Sequence, residues 1–175
     1  MADKLITNYE DVTVYGLDAD TEVLLLAQQK ELTFCWTTKD GSPMASILSY
    51  FYADGKFWMT SAAHRKRVPA IRRDPRVALV ITSTGMEMGG RRTVTYKGTA
   101  RVLDDLETKK WFYRALAERL YEKFGENRVK EFAMMLDSPD RIVIEVTPGL
   151  RVGYDGTKMG AATTKSREAG ILKVD

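Results

Sequence analysis

Lys56–Ser83 reads KFWMTSAAHRKRVPAIRRDPRVALVITS. Lys56–Ser61 is aromatic and alternating, the pattern of a strand, and it ends in the hydroxyls of Thr60 and Ser61. A basic helix is expected over Arg65–Arg73, stopping before Asp74-Pro75 because the residue preceding proline avoids helical backbone. Val77–Ser83 is β-branched and reads as the next strand. Between His64 and Arg76, six cations (Arg65, Lys66, Arg67, Arg72, Arg73 and Arg76) face one acid, Asp74. A strand that empties into hydroxyls, backbone donors and arginines suits a phosphate. With strands on both sides, the segment reads as an anion site built into a β-fold. The plain alternative is that a basic helix is a solvated face.

Upstream, Leu32–Thr38 is a strand, Lys39-Asp40-Gly41-Ser42 a turn, and Pro43–Tyr52 the returning strand. Ala53-Asp54-Gly55 turns the chain into the Lys56 strand. A first helix is expected over Thr21–Lys30, capped by Asp20. Downstream, Gly85–Arg92 is a loop and Thr93–Leu103 a long strand with Gly98 as a candidate bulge or close-approach point. Asp104 opens a capping-box pattern with Glu107, ahead of Phe112, Leu116, Leu120 and Phe124 at helical spacing. Asn127–Leu136 repeats the pattern, Arg141–Thr147 is a strand, and Leu150–Tyr154 is a candidate further strand. Six or seven strands joined mostly by tight turns pair antiparallel, and so many in one small domain favour a barrel. The expectation is a mainly β (α+β) fold, an antiparallel barrel with peripheral helices. It divides into an N-terminal extension over 1–19, the barrel domain over 20–159, and a loose C-terminal tail over 160–175.

The chain has 175 residues, enough to bury roughly 70% of its unfolded surface in one core. Its net charge of +3 is mild and concentrated in the one basic segment, so nucleic acid is an unlikely partner. Cys35 is the lone cysteine, which fits a reducing compartment. No apolar run nears the roughly 18 residues of a membrane span. The start, with Asp3, Glu10 and Asp11, lacks a signal-peptide core, so cytoplasm is expected. His64 is the only histidine, so a multi-histidine zinc site is impossible and a Ser-His-Asp triad has nothing to build on. Neither a Walker A loop nor G-x-G-x-x-G is present. Chemistry here would come from a bound cofactor.

The order of four pieces resembles the pyridoxamine 5'-phosphate oxidase-related, FMN-binding split β-barrel family, which also takes the deazaflavin coenzyme F-420. The pieces are Asp40–Ser46, Gly55–Ser61, Arg72–Val77 and Thr95–Ala100, and the likeness covers about Glu22 to Met159. It implies a flavin-type oxidoreductase, a homodimer with cofactor sites at the interface, and a small-molecule substrate. Ala45, Ser46 and Ile47 fall on the strand lying against the flavin ring, and Thr60 and Ser61 on donors near ring and phosphate. Arg67 falls where relatives often hold phosphate with lysine, flanked by Arg65 and Lys66, and Ala70 where many have Asn. Tyr154 and Lys158 fall where relatives approach the partner's cofactor. No residue is implied as a catalytic acid or base, and no metal site.

The chain offers Arg151-Val152-Gly153-Tyr154 where pyridoxamine phosphate oxidase itself has a substrate-binding Arg-x-His, so it is expected not to be that oxidase. FMN leads narrowly as cofactor. F-420 is the alternative, because Arg72, Arg73 and Arg76 could hold its oligoglutamate tail. A non-catalytic flavin, heme or tetrapyrrole binder, with His64 as a candidate ligand, is the other reading. Trp36, Phe34, Phe57 and Trp58 read first as strand core or dimer contact, with one of them a candidate edge to a ring pocket.

Overall fold

The computed structural model describes residues 11–171. Strands β1 (Glu31–Thr37) and β2 (Pro43–Ser49) form the first hairpin, and β3 (Phe51–Ala53) and β4 (Lys56–Ala62) the second. At the second turn Asp54 and Gly55 both take positive φ, 53° and 72°, the backbone of a tight two-residue hairpin. Then follow helix α2 (Arg67–Arg73), β5 (Arg76–Thr82), β6 (Arg92–Leu103), α3 (Leu106–Tyr121), α4 (Glu126–Leu136), β7 (Arg141–Asp155) and α5 (Gly156–Glu168). Helix α1 (Ala19–Gln28) precedes the first strand. All strand pairs are antiparallel, in the order β2-β1-β5-β6-β7-β4-β3.

That order forces the sheet to curl. β2 and β3 lie at its opposite ends, yet only Tyr50 separates them in the chain. One residue spans about 3.3 Å, so the two ends must meet. β2 accordingly comes up against β4 without pairing to it, which leaves the barrel split there. Tyr50 is fully buried, and its hydroxyl donates to the Leu26 carbonyl at 3.0 Å. Burial holds its phenol up at about 12, with Arg119 stacked 5.1 Å from the ring and opposing the shift. Leu25, Phe34, Phe57, Met59, Leu79, Ile81, Val94 and Ile144 fill the curl.

Gly98 is a required glycine. The β6–β7 register shifts between Tyr96 and Gly98, and a Cβ at Gly98 would lie 2.7 Å from Val146 Cγ1 and 2.9 Å from the Thr147 carbonyl. The extra residue is on β7, where Gly149 and Leu150 stand opposite Lys97, and it bends that strand; Gly98 is the point of close approach. Helices α3 and α4 cover the outside of the sheet through Phe112, Tyr113, Leu116 and Leu136 against Val143.

Several sequence expectations are corrected. Pro43–Tyr52 is two strands, broken by the inward turn at Tyr50, and Arg141–Tyr154 is one continuous strand. The cap of α1 is Asp18; Asp20 sits inside the first turn. Asp105 caps α3 by accepting from the Thr108 amide at 2.8 Å, while Asp104 pairs with Lys109. Phe124 lies beyond α3 and is 71% exposed, outside the packing face. Residues 160–168, expected in a loose tail, belong to α5. Asp155 caps it through the Thr157 amide at 2.9 Å, and Ala162 packs against Tyr15. The rest of the expected N-terminal extension and tail, 1–10 and 172–175, lies outside the described residues. No helix among the described residues is long and apolar enough to cross a membrane.

Candidate cofactor site

Residues in antiparallel register share a face, and alternation divides the candidates. On β1, Leu32, Phe34 and Trp36 point into the core. Their partners on β2 are Leu48, Ser46 and Met44, so Ser46 faces inward, while Ala45 and Ile47 face outward beside Cys35 and Thr33. On β4, Ser61 is buried with Phe57 and Met59, and Thr60 lies on the opposite face with Trp58. Thr60 and Ser61 therefore serve different sides of the sheet. The Thr60 hydroxyl donates to the Ile142 carbonyl at 2.9 Å, and Ser61 Oγ sits 3.3 Å from the Ala62 carbonyl.

The basic segment begins where β4 ends. Arg65 and Lys66 are exposed in the turn before α2. Val68, Ala70 and Ile71 anchor α2 in the barrel core, which fixes Arg67 at its start. The Arg67 guanidinium stacks 5.6 Å from the centre of the Trp36 ring. Burial, then the neighbouring Arg65 cation, lowers the pKa of Arg67. At the other end of α2, Arg73 Nη2 donates to the Thr37 carbonyl at 2.8 Å. These two contacts lay α2 across the β1–β2 hairpin. Arg67 is thereby one cross-strand pair from Met44, next to Ala45 and Ser46.

Charge accounting separates the six cations. Arg76 folds back on Asp74, at 2.7 and 2.8 Å, and holds that carboxyl down at about 2. Among the described residues, Arg65, Lys66, Arg67 and Arg72 have no carboxylate partner. Two buried polar atoms beside them also lack partners, Trp36 Nε1 and Ser46 Oγ. A surplus of donors and cations without acceptors fits the phosphate of a flavin-type cofactor.

The structure thus places Ala45, Ser46 and Ile47 in sequence on β2, Ser46 inward and the other two outward, and sets Arg67 over Trp36 on the paired strand β1. Thr60, Ser61, Arg65 and Lys66 approach along β4 and its turn, on the strand that faces β2 across the split. His64 is exposed at that turn. Tyr154 and Lys158 are engaged within their own chain: Tyr154 Oη contacts Met159 Sδ at 2.9 Å, and Lys158 Nζ pairs with Asp18 at 2.7 Å. In the sequence Trp36 is one of four aromatics that read as core or dimer contact, any one of them a candidate pocket edge; its unpartnered donor and the Arg67 over its ring single it out in the structure.

A family model described as pyridoxamine 5'-phosphate oxidase matches residues 18–150. No curated protein sequence gives a significant match. Among solved structures, a conserved hypothetical protein from Mycobacterium tuberculosis superposes with a TM-score of 0.71 at 19% identity, covering 83% of this chain and 90% of that one. A protein named F420 reductase gives 0.55 at 19%, covering 73% and 93%. The heme storage protein from Vibrio cholerae gives 0.56 at 14%, covering 80% and 96%. At these identities the likeness establishes the split-barrel fold.

Proposed function

Because the chain belongs to the pyridoxamine 5'-phosphate oxidase family, we propose that it binds FMN and works as a cytoplasmic flavin oxidoreductase on a small organic substrate. The observation that carries this reading is the run Arg65-Lys66-Arg67, three cations with no carboxylate partner among the described residues, beside the β1–β2 hairpin. Bound there, the flavin ring supplies the hydride chemistry. Arg65, Lys66 and Arg67 hold the phosphate. Ala45, Ser46 and Ile47 present the β2 backbone, whose outer edge pairs with no other strand, to the ring. Amides fixed at such an edge favour negative charge on what they touch. Thr60 and Ser61 at the end of β4 bring hydroxyl and amide donors toward ring and phosphate, and no side chain is assigned as acid or base.

FMN is preferred over the deazaflavin coenzyme because two of the three arginines suited to an oligoglutamate tail are engaged. Arg76 is paired with Asp74 and Arg73 with the Thr37 carbonyl, which leaves Arg72.

The site sits beside a face suited to a second copy of the chain. Ile47, Thr33, Val80, Thr95 and Val152 form one cross-strand row on the outer face, with Ile47 67% and Val152 59% exposed at its ends. A row of apolar and threonine side chains, half-buried in the middle and exposed at both ends, next to a ligand site supports a homodimer that covers it.

Fluorescence titration of the apo-protein with FMN and with the deazaflavin coenzyme tests the reading. Tight binding of FMN supports it, preference for the deazaflavin replaces the cofactor, and binding of neither removes it. Light scattering of wild type and Ile47→Lys tests the dimer, which the lysine is expected to dissociate.

A further inference from the structure

We propose that Trp36 is a ligand donor: its indole N–H and the Arg67 guanidinium stacked on its ring take oxygens of one phosphate. The inference rests on the cofactor reading above and adds a residue to it.

Trp36 is 8% exposed, and its Nε1, buried within the protein, meets no acceptor. An indole N–H can only donate, and leaving a buried donor unpaired costs about 1–3 kcal/mol. Elsewhere the fold provides for the same group: Trp58 Nε1 donates to the Ala53 carbonyl at 3.3 Å. Beside Trp36, two further groups lack acceptors. Arg67, 5.6 Å from the ring, has neither a carboxylate nor a hydrogen-bond acceptor among the described residues. Ser46 Oγ is buried without a partner, on the same face of the hairpin and two residues beyond Met44, the cross-strand partner of Trp36. The indole N–H and the guanidinium can only donate, and the Ser46 hydroxyl, diagonal to Trp36 across the hairpin, can add a third donor; such a set complements an oxyanion. A neutral ligand would leave the Arg67 charge uncompensated. The contact also holds the guanidinium over the ring before an anion arrives, so less ordering entropy is lost on binding.

The test observes the indole N–H signals of ¹⁵N-labelled full-length protein during titration with inorganic phosphate, FMN and riboflavin, which lacks the phosphate. Trp36→Phe identifies the Trp36 signal by its loss; should that variant not fold, Trp58→Phe and Trp111→Phe identify it by elimination. The Trp36 signal is expected to move with phosphate and FMN and to stay with riboflavin. Trp36→Phe is expected to weaken FMN on the order of tenfold while leaving riboflavin affinity unchanged. FMN binding that leaves the Trp36 signal unmoved overturns the inference while the flavin reading stands. Equal weakening of FMN and riboflavin also overturns it, since the indole would then act on packing. If neither flavin binds, the flavin reading fails by itself and inorganic phosphate decides: a shifted Trp36 signal retains the inference, and a fixed one ends it.

Discussion

Two helical regions of this molecule are rich in arginine, and they use it in opposite ways. On α3 and α4, Arg114 meets Glu118 at 2.7 Å and Glu126 at 2.8 Å, and Arg128 meets Glu131 at 3.2 Å. At the start of α2, Arg65, Lys66 and Arg67 stand together with no acid in reach among the described residues. A count of charges along the chain does not tell these regions apart. The difference lies in who supplies the anion: the chain itself on α3 and α4, something else at α2. Glu145 extends the first class into the sheet. Its side chain is 3% exposed and lies 2.8 Å from both Lys56 and Arg101.

The sharpest way to break this contrast is to remove cations from each class. Lys56→Met with Arg101→Met strands the buried Glu145 carboxylate and is expected to cost about 3 kcal/mol or more in denaturant unfolding. Arg65→Ala with Arg67→Ala is expected to weaken FMN by roughly a hundredfold or more in the fluorescence titration, since charged hydrogen bonds are worth about 1.5–3 kcal/mol each. The same pair should shift the unfolding midpoint only slightly, because it leaves no carboxylate unpaired and the relieved repulsion offsets the Arg67–Trp36 contact that is lost. A large loss of stability would place α2 in the self-paired class and undo the comparison.

A subtler division runs within the basic segment. The Asp74 carboxyl is held down at about 2, first by two hydrogen bonds from the Arg76 guanidinium and then by one from the Arg76 amide. A depressed carboxylate contributes stability that is fully present above its ordinary value near ~3.9 and lost as pH falls through its folded value. The Asp74 contribution is therefore lost as pH drops through about 2. In a carbon-detected NMR titration Arg76→Ala should return Asp74 toward its ordinary range without altering FMN affinity. Weakened FMN binding would show that Arg76 serves the ligand. The smallest effect is expected at Arg114→Ala, a barely measurable loss in the unfolding midpoint for a solvent-screened pair and none on FMN binding.

The hairpins were legible because Asp-Gly at Asp40-Gly41 and Asp54-Gly55 is local turn chemistry, with Gly41 at φ 86°. Gly98 was legible as a bulge or close-approach point because a glycine inside a β-branched run has few other reasons to be there; it is the close approach, and the bulged pair is Gly149-Leu150 on β7. The break at Tyr50 was not legible. Nothing in Ser49-Tyr50-Phe51 departs from strand composition, and the turn inward is set by the core and by the Leu26 carbonyl. Helix α5 was missed because its residues are small and polar. What holds it is the cap from Asp155, itself tied to Arg92 at 3.3 Å, and the packing of Ala162 on Tyr15, contacts between distant parts of the chain. At the candidate site the residue types were readable in order. Which arginines remain free depends on Asp74 turning toward Arg76 and on Arg73 reaching the Thr37 carbonyl, choices made by three-dimensional neighbours.

The single-residue joint at Tyr50 also bears on how the chain reaches its shape. Most β-barrels must bring distant segments together to close, and closing a long loop costs conformational entropy that grows with its length. In this protein the two ends of the sheet are neighbours in the chain, so the seam is a local event. The expensive step lies in the middle, where β4 waits for β7 some eighty residues later, Ser61 against Ile142. The seam between β2 and β3 is thus the cheapest part of the barrel to make and the β4–β7 pairing the slowest to find.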